Sequence, residues 1–325
     1  MCRICLYIIY MANIFNKSRV NTMSETADLR LIEKICWYYY CDGMTQQNIA
    51  KLLGLSRLKV IKLLEEGRQK GIVSFYITRL DNNKLDLEKK LIEKYALENA
   101  YVVPEPENSK NITESLARAA CSYVNLRLTN DSVINIGYGK TLSLAFNYLA
   151  SESQCNWTAV SLTGGVNNYL PNARSDIFKA KMYLYPAPLL MSSKELSDKL
   201  CEHPDLQWIK RMASTSSMTL FSAGGLDEHA TVIEQGLFDR SDFIYLKRLG
   251  AVGDILGHFI NKNGEIVDKD IDSRLISTSL DTLKDMPQTI MVAGGAEKLQ
   301  IITAALAKGL CKVLITTEKT AENLM

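Results

Sequence analysis

The chain has 325 residues, of which 47% are hydrophobic and 23% charged, and its formal net charge is +2. That length predicts two domains, and that composition is ordinary for a globular protein with a sizeable core. It excludes a disordered chain and a protein coated in basic charge, so any contact with nucleic acid must come from a local patch.

Residues 6–15, LYIIYMANIF, are apolar but too short to span a bilayer. Arg3 is the only early cation and no A-x-A site follows, so a signal peptide is not indicated. MSETADLR from Met23 reads as a natural start, which makes residues 1–22 an N-terminal extension outside the fold. No other segment approaches membrane length, so the expected setting is the cytoplasm, with no membrane partner. Cys2-x-x-Cys5 lacks a second pair or a nearby histidine for zinc, and the other cysteines (36, 41, 121, 155, 201 and 311) have no disulfide-framework spacing. Reduced thiols are expected. With only His203, His229 and His258 in the chain, neither a metal site nor a cofactor is expected.

Residues 28–41, DLRLIEKICWYYYC, place Leu31, Ile32, Ile35, Cys36 and Tyr39 at helical spacing, and Asp42-Gly43 ends the helix. TQQNIAKLLGLSRLKVIKL (45–63) then predicts two short helices. Thr45 is an N-cap, and Ile49, Ala50, Leu52 and Leu53 share one side. Gly54 supplies a left-handed C-cap, and Ser56 caps a second helix that hides Val60, Leu63, Leu64 and Gly67. A turn this short forces a steep crossing, the helix-turn-helix arrangement, whose second helix would face a DNA major groove. The alternative is a helical hairpin with solvated lysines. Three features favour DNA. Residues 44–70 carry Lys51, Arg57, Lys59, Lys62, Arg68 and Lys70 against only Glu65 and Glu66. Cations at a helix N-terminus oppose its dipole, a cost that phosphates would offset. Leu58 and Ile61 on the outward face suit thymine methyls or sugars. The expected DNA contacts are Gln46, Ser56, Arg57, Leu58, Lys59 and Lys62.

Ile72–Ile77 alternates weakly and reads as a wing strand, which completes a DNA-binding domain over residues 23–80. Residues 81–98 form a polar amphipathic helix, a connector (81–99) or dimerisation element, or else a surface helix of the second domain. From residue 100 to 325 the apolar runs AYVV, SVINIG, TAVSLTGG, SMTLFSAGG, TIMVAGG and CKVLIT alternate with helical patterns at about 111–128, 141–150, 173–182, 194–214, 228–237 and 296–308. That alternation predicts an α/β domain with a doubly wound parallel sheet. Four runs end in glycine, where such sheets collect ligands.

INIGYGKTLSLAF (134–146) runs from a strand through Gly137-Tyr138-Gly139-Lys140-Thr141 into a helix, a turn suited to an oxyanion. It matches neither a P-loop nor a dinucleotide fingerprint, and a purely structural Gly-x-Gly turn is the alternative. VAGGAEKLQIITAA (292–305) repeats the design with Gly294, Gly295 and Lys298, and LTGGVNNY (162–169) adds Gly164, Gly165 and Asn168. In GAVGDILGHFINKNGEIV (250–267), Asp254 and His258 could do acid–base work. Asp254 could equally accept hydrogen bonds from sugar hydroxyls, or cap a turn.

The stretches YYYCDGMTQQNIAKLLGLSRLKVIKLLEEGRQKGIV, IGYGKTL, LTGGV, PAPLLMSS, GAVGDILGHF, VAGGAEK and ITTEKTA follow one another from Met23 to near the end of the chain. In content and order they resemble the SorC/DeoR-like family of sugar-responsive bacterial transcriptional regulators. GLSRLKV, YPAPL and GAVGDILG are similar to its regulators of autoinducer-2 operons. The resemblance implies a winged helix-turn-helix followed by an effector domain of the sugar-phosphate isomerase/deaminase-like type. It implies a homo-oligomer, dimer or tetramer, on double-stranded operator DNA, and a repressor released by a phosphorylated sugar. The effector contacts it implies are Gly137, Gly139, Lys140, Thr141, Gly164, Gly165, Asp254 and Lys298. Some members hold their effector covalently through a lysine before the Gly-Gly pair; Thr163 stands there, which implies reversible binding. Many relatives have proline after the recognition-helix arginine, where this chain has Leu58. The rival reading is a sugar-phosphate isomerase or deaminase, since fold alone does not decide function. The scarcity of histidine and the lack of a carboxylate dyad weigh against an enzyme.

Overall fold

The structure, a computed structural model, describes residues 23–73, 82–108, 111–165, 180–226, 230–234, 236 and 238–325. The chain divides into two compact units, residues 1–80 and 81–325. The extension 1–22, the wing residues 74–77, Asn168 and His229 lie outside the described residues.

The described residues of the first unit contain three helices, α1 (Met23–Tyr40), α2 (Gln46–Leu53) and α3 (Arg57–Gln69). Thr45 Oγ1 accepts the Asn48 amide at 3.2 Å, and Ser56 Oγ accepts the Lys59 amide at 3.1 Å. Between the caps, Gly54 sits at φ 64°, and the Leu55 amide bonds back to the Ala50 carbonyl at 2.9 Å. That bond satisfies an otherwise orphaned carbonyl and ends α2 sharply. Ile32, Ile35, Cys36, Ile49, Ala50, Val60, Leu63 and Leu64 form the core. Gly67 lets α3 approach α1 closely, because a Cβ there would lie 2.5 Å from Cys36 Sγ. Leu52, expected on the inner side, is instead 57% exposed. A two-turn helix crossing two neighbours has room for fewer inward positions than the wheel grouped together.

In the second unit, helix α4 (Asn82–Tyr95) buries Leu91, and its Glu88 accepts the Val102 amide at 2.8 Å. Lys94 and Tyr95 bond the carbonyl of Leu324. The polar amphipathic helix is therefore packed onto this unit through its middle and its C-terminal end. The strands are β1 (Asn99–Val103), β2 (Ser132–Ile136), β3 (Trp157–Ser161), β4 (Ala180–Tyr183), β5 (Met218–Phe221), β6 (Ala223–Gly224), β7 (Ala251–Ile255), β8 (His258–Asn261), β9 (Thr289–Val292) and β10 (Val313–Thr317). Seven form one sheet in the order β1-β10-β9-β5-β2-β3-β4, and every pairing is parallel.

Alternation along these strands divides the apolar side chains between two faces. Phe221, Met291 and Leu314 enter one core with Leu206, Ile209 and Ile302. Their neighbours Leu220, Ile290, Val292 and Ile315 enter the other. There they meet helices α5 (Ile112–Asn125) and α6 (Lys140–Glu152). The sheet is thus doubly wound, as the alternating pattern predicts.

Two stretches differ from the expected helices. Residues 180–182, expected in a helix, belong to β4 and extend the sheet beyond β3. The expected helix over 194–214 is two helices, Lys194–Cys201 and Pro204–Ser214, because Pro204 lacks an amide and starts a new helix at its first position. GAVGDILGHF is an antiparallel hairpin, β7–β8, whose turn residues Leu256 and Gly257 have φ of 55° and 87°. With β6 it forms a separate three-stranded sheet.

Candidate functional site

The parallel sheet grows outward from β2 through β3 to β4, then resumes on the other side of β2 with β5, β9 and β10. Chains leaving β2 and β5 therefore diverge, and the crevice between them is where such sheets bind ligands. A cavity of about 420 Å³ lies there, of a size suited to a small metabolite.

Its walls include residues from four parts of the chain. After β2 come Tyr138, Gly139, Lys140 and Thr141; after β5, Ser222, Gly224 and Gly225; from β7, Asp254; after β9, Glu297 and Lys298. Gly139 (φ 125°, ψ 157°) precedes α6, and Gly295 (φ 108°, ψ 146°) precedes the 3-10 turn Ala296–Lys298 and the helix Leu299–Ala307. Both conformations belong to a region open in practice only to glycine. The two turns thus share one backbone device, and each starts a helix with no N-cap side chain in the way. The arrangement leaves room for an anion at the N-terminal amides.

Five expected effector contacts meet on this cavity: Gly139, Lys140, Thr141, Asp254 and Lys298. Gly137 lies beneath it, its amide bonded to the Leu220 carbonyl at 2.8 Å, where a Cβ would strike Leu256. Gly164 and Gly165 are not on the wall. A Cβ on Gly164 would lie 2.4 Å from the Pro188 carbonyl oxygen, and the Gly165 amide bonds the Ala187 carbonyl at 2.7 Å. Those glycines admit the 187–189 segment. Thr163 is fully buried beside them.

Asp254 is 2% exposed. Its Oδ2 accepts the Tyr138 hydroxyl and, at 3.0 Å, the Gly257 amide. It therefore stabilises the β7–β8 turn and also stands on the cavity wall. His258 is no partner for it in proton transfer: Nδ1 lies 2.6 Å from Asp272 Oδ1 and Nε2 lies 3.0 Å from the Thr278 carbonyl oxygen. Sequence reasoning missed Tyr138, Gly224 and Glu297 as wall residues. Tyr138 and Glu297 stood inside motifs already singled out, but nothing in residue spacing shows which way their side chains turn.

Of the expected DNA contacts, Ser56, Arg57, Leu58, Lys59 and Lys62 are exposed and Gln46 is half-buried. Leu58 is 73% exposed. Arg68 pairs with Glu65 at 2.8 Å and Lys70 with Glu66 at 2.7 Å. Lys51, Arg57, Lys59 and Lys62 have no ion pair among the described residues, so the excess positive charge sits on α2 and the first half of α3. Burial pushes the Cys36 thiol behind this helix up to about 11, which leaves it inert. Among the described residues no helix is long and apolar enough to cross a membrane, and none group as a metal site.

Burial raises the Asp254 carboxyl above the ordinary aspartate range, outweighing hydrogen bonds from Tyr138 and Gly257 and the charges of His258 and Lys298. The folded state then holds this proton more tightly than the unfolded chain. The associated stability is complete below the ordinary aspartate range and is lost as pH rises through the elevated value. Asp254→Asn abolishes this titration. Thermal unfolding should therefore show wild type gaining stability relative to Asp254→Asn as pH falls from about 7 towards 4. A gap independent of pH would contradict the assigned burial.

A family model described as "Putative sugar-binding domain" matches residues 81–325. The chain is 31% identical over 316 residues to the transcriptional regulator LsrR of an Enterobacter strain, covering 96% of this chain and 97% of that protein. It is 28% identical to the erythritol catabolism regulatory protein EryD of Brucella abortus, covering 92% and 97%. Among solved structures it resembles the full-length sorbitol operon regulator SorC from Klebsiella pneumoniae, with a TM-score of 0.68, 26% identity, and coverage of 91% and 98%. The chain belongs to the SorC/DeoR-like family of bacterial transcriptional regulators that carry this sugar-binding domain.

Proposed function

We propose that this chain is a repressor of a carbohydrate or autoinducer-2 uptake and catabolism operon, and that a phosphorylated sugar releases it from operator DNA as a homo-oligomer. The observation that carries this reading is that a glycine-initiated helix turn with Lys140 and Thr141 lines the same cavity as a buried carboxylate, Asp254. The turn suits an oxyanion and the carboxylate suits hydroxyls, and a sugar phosphate offers both. Glu297 folds over Gly295, its carboxylate oxygens 2.5 and 2.7 Å from where a Cβ would lie. That negative charge disfavours phosphate at the second turn. The phosphate is therefore assigned to Gly139–Thr141, and Lys298 to the sugar end. Binding rather than catalysis is supported by His258, whose ring nitrogens are both engaged away from Asp254. The names of the similar proteins, a sorbitol operon regulator and an erythritol catabolism regulator, support a carbohydrate operon.

For DNA, the reading assigns major-groove and phosphate contacts to Gln46, Ser56, Arg57, Leu58, Lys59 and Lys62. Replacing Arg57 and Lys62 together with alanine should weaken binding to the DNA upstream of the protein's own gene by about tenfold or more, and leave effector binding intact. To the extent that both contact phosphate, the salt dependence should flatten by about one unit of slope each. Gel shifts at several salt concentrations measure both, and normal binding by the double variant would show that α3 is misassigned.

For the effector, calorimetry of the full-length chain with a panel of five- and six-carbon sugars should show binding of phosphorylated members. Their unphosphorylated forms should bind at least about tenfold more weakly, the loss of charge-assisted hydrogen bonds. Equal affinities would refute the phosphate assignment.

A further inference from the structure

A carboxylate offers about four acceptor positions on its two oxygens. At Asp254 the fold has already filled one oxygen. Oδ2 takes the Tyr138 hydroxyl and the Gly257 amide. Oδ1 takes no hydrogen bond from any described residue. It stands over Gly224 on the paired strand β6, 2.0 Å from where a Cβ would lie, and both residues are on the cavity wall. The Tyr138 ring packs beside the apolar cluster of Val232, Phe238 and Phe259, which keeps the hydroxyl in place.

We infer that Tyr138 makes Asp254 a single-point acceptor, so that the cavity grips one ligand hydroxyl through Oδ1 and cannot hold a vicinal pair across both oxygens. This rests on the reading that a sugar phosphate occupies the cavity. The usual advantage of a carboxylate for sugars is a two-pronged grip on neighbouring hydroxyls. Here one prong is occupied by the protein itself, so selectivity between a diol and its deoxy analogue is suppressed. Gly224 complements this arrangement, because any side chain at that position would cover the one free oxygen. Tyr138 is in this sense a specificity-determining positioning residue.

The test uses calorimetry on the full-length chain with D-ribose 5-phosphate and 2-deoxy-D-ribose 5-phosphate, which differ by one member of a vicinal pair. Wild type should bind the two within about threefold of each other. Tyr138→Phe keeps the ring and frees one side of Oδ2, and should favour ribose 5-phosphate by about tenfold, the worth of one added charge-assisted hydrogen bond. Gly224→Ala should weaken both probes together. If that variant fails to fold, as judged by circular dichroism, the ratio in Tyr138→Phe alone decides. An unchanged ratio in Tyr138→Phe, with both probes still bound, overturns the inference and leaves the phosphosugar reading standing. Failure of wild type to bind either probe overturns the reading and the inference together.

Discussion

Strand growth reverses between β2 and β5, and every feature of the candidate effector site depends on that reversal. A parallel sheet closes the space above its strands wherever successive connections run in one direction. Where the direction changes, the connections part and leave a crevice at the carboxyl ends. Gly139 and Gly295 then let the chain turn from strand to helix without a side chain filling that crevice. The three-stranded sheet β6-β7-β8 brings Asp254 among the residues that line the same cavity.

Asp254 shows how such a site strains the fold that builds it. A carboxylate 2% exposed is costly to ionise, and the fold offsets part of the cost with the Tyr138 hydroxyl and the Gly257 amide. Those bonds also fix the carboxylate in one orientation, which is the preorganisation a binding site needs. A ligand hydroxyl that reaches Oδ1 would relieve more of the same cost. Stability given up to bury the carboxylate would in this way be recovered as affinity.

Much of this architecture was legible in the sequence, because it follows from local rules. The Schellman turn at Gly54 and the caps at Thr45 and Ser56 are written in residue types at fixed offsets. The apolar runs that became β1, β2, β3, β5, β9 and β10 were equally plain. What remained hidden depended on distant partners. Leu52 looked buried because a wheel does not show how much of it neighbouring helices cover. The β7–β8 hairpin turns on Leu256, a residue with no turn signature, held at positive φ by its surroundings. Gly164 and Gly165 resemble a ligand turn in sequence, yet the segment 187–189 occupies the space they open. Tyr138 stood in view inside GYGKT, but its bond crosses 116 positions to Asp254.

The central claim is that occupancy of this cavity controls release from DNA. A ligand shifts that equilibrium only by its differential affinity for the two states. The most direct measurement is a titration of the preformed protein–DNA complex with a bound sugar phosphate, wild type beside Asp254→Asn. The account predicts equal operator affinity without effector, and a release midpoint displaced upward by about tenfold or more in the variant, the loss of one charge-assisted hydrogen bond. An unchanged midpoint would contradict it and reduce Asp254 to a support for its own turn.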